Sequence, residues 1–141
     1  MNKILLTLFF TASFSNAFIP QQHQTKSLKG TWQFNGGIYN GKPDGAPKDY
    51  KMQRVYTDKN FAAFVSQKGY KTEKYEAGNY VLKGDTCFET QTYSSRSSQS
   101  TGKVIKYIYK IQKNQLILSG TLPSGMVVEE HWLRILTSTK K

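Results

Sequence analysis

Along most of the chain apolar and polar residues alternate with a period of two, the spacing that sends successive side chains to opposite faces of a strand. The clearest case is Lys103 to Gln112, where Ile105, Tyr107, Tyr109 and Ile111 alternate with Val104, Lys106, Ile108 and Lys110. The first set predicts a buried face, and the lysines put the other face in water. Tyr50 to Thr57 divides the same way: Tyr50, Met52, Arg54 and Tyr56 against Lys51, Gln53, Val55 and Thr57, so Arg54 rides inward on an aromatic face. In Leu28 to Tyr39, Trp32 and Phe34 point one way while Thr31, Gln33 and Asn35 point the other. Gly30 lets another backbone pass close to this strand, and Gly36-Gly37 lets it bend sharply. Phe61 to Gln67 is too uniformly apolar for its faces to be assigned. Ala77 to Lys83, Thr86 to Ser95, Gln115 to Thr121 and Met126 to Leu136 complete eight predicted strands.

The connections are mostly hairpin-sized: Asp58-Lys59-Asn60, Gly84-Asp85, Lys113-Asn114 and Leu122 to Gly125. Gln67 to Lys74 reads as a charged link and Ser94 to Gly102 as a polar, flexible hairpin loop. Asn40 to Asp49, NGKPDGAPKD, is too long for a tight turn. No periodic apolar segment is long enough for a core helix, so the chain reads as all-β. Short antiparallel strands joined in sequence favour an up-and-down eight-stranded antiparallel β-barrel over a Greek-key sandwich. The interior of such a barrel holds either packed side chains or one small ligand.

Lys29-Gly30-Thr31-Trp32 resembles the G-x-W opening of the lipocalin and calycin superfamily, in which an Arg from the last strand lies across the Trp at the closed end. Arg134, in Trp132-Leu133-Arg134-Ile135, falls on the last predicted strand. The succession GTW, YTDKNFAAF, GNYVLKGDTCFET, KYIYKI and EEHW-x-R is similar to small lipocalin-like proteins that bacteria secrete, and it covers nearly all of the mature chain. The resemblance implies structural roles for Trp32 and Arg134, and it implies that Asn40 to Asp49 lies over the open mouth. It also implies binding of a small hydrophobic or amphipathic ligand inside the barrel. The expected lining is Phe34, Met52, Arg54, Tyr56, Tyr107, Tyr109, Glu130 and Trp132, with Arg54 and Glu130 orienting a polar end of the ligand. The alternative, in which these residues fill the barrel as a packed core with Arg54 and Glu130 paired, stays open at this point.

Met1 to Ala17 predicts a secretory signal: Lys3, the apolar run ILLTLFF, then small residues at Ser15-Asn16-Ala17. The apolar run is far shorter than the roughly 20 residues that span a bilayer, so no transmembrane segment is expected in the mature chain. No Cys follows it to carry a lipid anchor. The expected domains are a signal peptide over 1–17, a flexible leader over 18–27, the barrel over 28–136 and a polar tail over 137–141, in a secreted or periplasmic protein. Cleavage after Ala17 removes one Lys and no acid from a chain of net charge +11, leaving about +10. The basic residues (Lys42, Lys48, Lys51, Lys68, Lys71, Lys74, Lys103, Lys106, Lys110, Lys113) are spread over loops and strand faces. They form no nucleic-acid module. A second reading is therefore an envelope module that attracts anionic polymers or head groups without sequence specificity.

Catalytic chemistry finds little to stand on, and no enzyme activity or cofactor is expected. Cys87 is the only cysteine and His131 the only histidine outside the leader, which holds His23. Cys87 reads as a small core filler of its strand rather than as one half of a Cys87–His131 dyad. Of Glu129-Glu130-His131, only Glu129 and His131 share a face, and two ligands do not make a metal site. The same period sends Val128, Glu130 and Trp132 inward and His131 outward, which argues against an interior haem.

Overall fold

The computed structural model describes residues 27–136. The signal segment, the leader up to Lys26 with His23, and the tail from Thr137 lie outside the described residues. The strands are β1 (Gly30–Tyr39), β2 (Lys42–Asp44), β3 (Tyr50–Tyr56), β4 (Asn60–Gln67), β5 (Glu73–Lys83), β6 (Thr86–Ser94), β7 (Val104–Gln112), β8 (Gln115–Thr121) and β9 (Val127–Arg134). From β3 to β9 each strand pairs antiparallel with the next, and β1 pairs with both β3 and β9. That last pairing closes an eight-stranded up-and-down barrel. β2 is a short extra ribbon on the far half of β1.

One end of the barrel is shut by packing. Leu28 is fully buried there, and Trp32 Nε1 donates a 2.7 Å hydrogen bond to its carbonyl. Arg134 lies over the Trp32 ring at 4.0 Å, and its Nη1 donates to the Lys29 carbonyl at 2.8 Å. The alternation of β7 buries Ile105, Tyr107, Tyr109 and Ile111, which join Tyr56, Phe61, Tyr80, Cys87, Leu116 and Leu118 in one core. Lys106 and Lys110 stay on the outer face.

Two β-bulges change which side chains face inward near the other end. Phe34 pairs with Trp132 and Gly37 with Glu130, so Asn35 and Gly36 stand opposite His131 alone. Gly36 has φ +96°, and a Cβ there would sit 2.8 Å from the Asp44 carbonyl, so only glycine meets both demands. Beyond this bulge the inward phase moves from even to odd positions, and Tyr39 turns in. On β5, Ala63 pairs with Glu76 and Phe64 with Lys74, which leaves Tyr75 unpaired. Tyr75 and Glu76 both turn toward the interior as a result.

Three local expectations are corrected. β5 starts at Glu73 rather than Ala77, because Glu73 and Lys74 are exposed and the irregularity at Tyr75 breaks the alternation that would announce them. The Asn40 to Asp49 connection contains a strand, β2. The Ser94 to Gly102 loop is tied down, since the buried Gln91 Oε1 accepts from Ser98 Oγ at 2.8 Å and Thr101 Oγ1 at 2.9 Å.

Candidate functional site

β1 pairs with β3 only from Gly30 to Gln33 and then leaves it for β2. The segment Asp44 to Lys48 occupies the resulting gap at the open end, and beneath it lies a cavity of about 530 Å³. Its wall comes from four parts of the sheet: Phe34 and Tyr39 of β1, Tyr50, Met52 and Arg54 of β3, Tyr75 and Glu76 of β5, and Glu130 and Trp132 of β9. Phe34 and Trp132 meet edge to face, with ring centroids 5.2 Å apart. They supply an apolar side.

Arg54 forms the floor. It is only 4 % exposed, and its guanidinium stands 4.7 Å from the Phe61 ring and 5.6 Å from the Trp132 ring. Nη1 lies 3.3 Å from Glu89 Oε2 and Nη2 3.4 Å from Glu76 Oε2. Tyr56 donates its hydroxyl to Glu89 Oε1 at 2.6 Å. Arg54 Nε and Glu89 Oε2 have no hydrogen-bond partner among the described residues. Buried polar atoms of this kind are uncommon, because each forfeits its hydration without a replacement. On β9, Trp132 Nε1 donates to Glu130 Oε2 at 3.1 Å.

The charges follow from this geometry. Burial works against the Arg54 cation, but Glu89, Tyr56, Glu76 and Glu130 around it outweigh that and keep it firmly protonated. Burial raises the Glu89 carboxyl against the pull of Arg54 and of the Tyr56 hydrogen bond. It raises Glu130 as well, against Arg54 and Trp132. Tyr39 is pushed up to about 12 by burial and then by Glu130 and Asp44, and burial lifts Tyr75 and Tyr107 too. The interior is thus polar at the level of Arg54, with a packed apolar core on the closed side and a wall of mixed rings and carboxyls on the open side.

Of the expected lining residues, Phe34, Met52, Arg54, Glu130 and Trp132 stand together on the cavity wall. Tyr56, Tyr107 and Tyr109 do not. They are buried in the packed core, Tyr56 tied to Glu89 and the Tyr109 hydroxyl donating to the Gly84 carbonyl at 3.0 Å. Arg54 and Glu130 do not pair as the packed-core alternative has it: Arg54 takes Glu89 and Glu76, and Glu130 takes the neighbouring indole. Four residues went unread in the sequence. Tyr39 enters through the phase change at Gly36-Gly37, a pair that does signal a bend. Tyr75 and Glu76 depend on a bulge with no such mark, and Glu89 sits in the polar inward set Cys87, Glu89, Gln91, whose polarity hides its burial.

Other candidates stand apart from the cavity. Cys87 is fully buried, and burial pushes its thiol up to about 12. His131 Nε2 and Glu129 Oε1 meet at 2.7 Å on the outer face, and among the described residues no third metal-ligating group joins them. The ten lysines named above are all exposed and surround the barrel.

In strand number, order and closure the described residues form the up-and-down eight-stranded barrel expected from the sequence. No family model matches the chain, and no curated protein matches its sequence. Among solved structures, it is similar to crystal structures of two substituted forms of the fluorescent protein UnaG. The first has 14 % identity over 78 % of this chain and 97 % of that one, with a TM-score of 0.40. The second has 16 % identity over 80 % and 97 %, with a TM-score of 0.39.

Proposed function

We propose that this protein is a binding protein for a small amphipathic molecule held in the mouth cavity, and that it acts after export from the cytoplasm. The observation that carries the reading is the uneven filling of the barrel. Its closed end is packed with side chains, while the open end keeps about 530 Å³ beside Phe34, Met52 and Trp132. That volume falls in the range of small-molecule sites, and the wall joins aromatic rings to charged groups that would orient a ligand. The Asp44 to Lys48 segment, held by β2 rather than by β3, covers the cavity from the side. Export is supported by the signal-like pattern of Met1 to Ala17. Binding without catalysis is supported by the inert setting of Cys87 and by the position of His131 outside the barrel.

Native mass spectrometry of freshly purified protein tests this. The expected result is a native species heavier than the denatured chain by a few hundred daltons. A bare native mass, together with no uptake of a neutral apolar dye, would overturn the proposal.

A further inference from the structure

The charges inside the cavity favour one kind of ligand. Glu76 and Glu130 stand on its wall and Glu89 lies beneath, yet one guanidinium, Arg54, faces all three. At the rim the exposed Asp44 and Lys48 offset one another. Arg54 is already engaged, at 3.3 Å by Glu89 and 3.4 Å by Glu76. Among the described residues no cation pairs with Glu130, whose Oε2 receives only the neutral N–H of Trp132.

An anionic head group would add a negative charge to a site with more carboxyl than guanidinium. To reach Arg54 it would also have to displace a carboxylate that is itself out of water, a costly exchange. A protonated amine meets the opposite situation. It finds acceptor oxygens on Glu76 and Glu130, in surroundings where charge-assisted hydrogen bonds are strong. Resting on the binding reading above, we infer that the cavity selects a cationic amphiphile: a protonated amine between Glu76 and Glu130, with its apolar body against Phe34, Met52, Tyr75 and Trp132.

A second observation concerns the same floor. Arg54 lines the cavity, is 4 % exposed, and its Nε finds no acceptor among the described residues. That nitrogen is itself buried away from the cavity space, so a ligand oxygen does not reach it without moving the floor. The same unengaged donor does not rescue a fatty acid, since the two terminal nitrogens that would clasp a carboxylate are the ones already held.

The test is a displacement series with matched chains. Mature protein loaded with the neutral dye N-phenylnaphthylamine is titrated with decylamine, decanol or decanoate below their micelle concentrations. Decylamine should displace the dye about tenfold or more tightly than decanol, the gain expected for a charged hydrogen bond, and decanoate should be the weakest. Glu130→Gln and Glu76→Gln should each reduce the ratio of amine to alcohol affinity. Should either variant fail to fold by circular dichroism, the series on the unaltered protein decides alone. Dye binding with equal affinity for the three competitors, or with decanoate preferred, overturns the amine inference and leaves the binding site standing. No binding of the dye or of any competitor removes both.

Discussion

Arg134 lies over Trp32, guanidinium carbon 4.0 Å from the ring centroid, and the two residues are direct cross-strand partners between the last strand and the first. The contact exists only because the barrel closes, so it joins a local stacking energy to the topology. Trp32 is fully buried and bonded to the Leu28 carbonyl, whereas Arg134 is half-buried and caps it. Trp32→Ala should therefore cost about 3–5 kcal/mol in urea unfolding, from lost burial and an unfilled void. Arg134→Ala should cost about 0.5–2 kcal/mol, the range of a cation–π contact. An unchanged urea midpoint for Trp32→Ala would contradict the role given to this pair.

The Arg54–Glu89 pair behaves differently because both partners are out of water, at 4 % and 1 % exposure. Removing one partner strands the other. Arg54→Met should destabilise by about 3–5 kcal/mol, while Arg54→Met combined with Glu89→Leu should recover much of the loss. Additive losses in the double variant would show that the two side chains are not coupled.

Burial lifts the Glu89 and Glu130 carboxyls above the ordinary value of about 4.3. Between the unfolded and the raised folded values, the folded chain holds protons that the unfolded chain has released. Stability is therefore complete below the unfolded value and falls as pH rises through the raised ones, the reverse of a paired surface carboxylate. Urea melts from pH 4 to pH 7.5 should show the ligand-free protein losing stability relative to Glu130→Gln as pH increases. Parallel curves for the two proteins would contradict the raised carboxyl.

Much of this barrel could be read from the chain, and the exceptions share a cause. The β7 alternation, the placement of Trp32 and Arg134 on neighbouring strands and the inward Arg54 follow from a period of two carried through uninterrupted strands. Tyr39, Tyr75 and Glu76 escape that logic, because a bulge flips the phase and its own position rests on backbone fit, such as the approach of Gly36 to Asp44. Glu89 escapes for another reason. A polar side chain on an inward position looks solvated until its partner across the barrel is known.

Cys87 has no role in binding on this account. Fully buried, with its thiol pushed up to about 12, it should react with a thiol-specific disulfide reagent only after unfolding. Cys87→Ser should leave dye binding intact at a modest loss of stability. Rapid labelling of the folded protein, or loss of binding in a stable Cys87→Ser variant, would reinstate a chemical role for the thiol.

Packing should separate the core tyrosines from the cavity wall. Tyr107, 4 % exposed and away from the cavity, should lower stability by several kcal/mol when replaced by Ala, with any binding change following from unfolding. Met52→Ala, on the wall, should weaken dye binding more than folding. The reverse ranking, read from melting curves and dye titrations of both variants, would move the site elsewhere.

The most direct test of a ligand-holding mouth cavity is a titration of the mature protein with a neutral apolar fluorescent dye at low and at high salt. The account predicts saturable binding near one dye per chain, quenching of tryptophan emission through Trp132, and little change with salt, since apolar burial does not depend on counterion release. Failure to saturate, or binding that vanishes as salt rises, would contradict it and leave the lysine-rich outer surface as the place where this protein meets its partners.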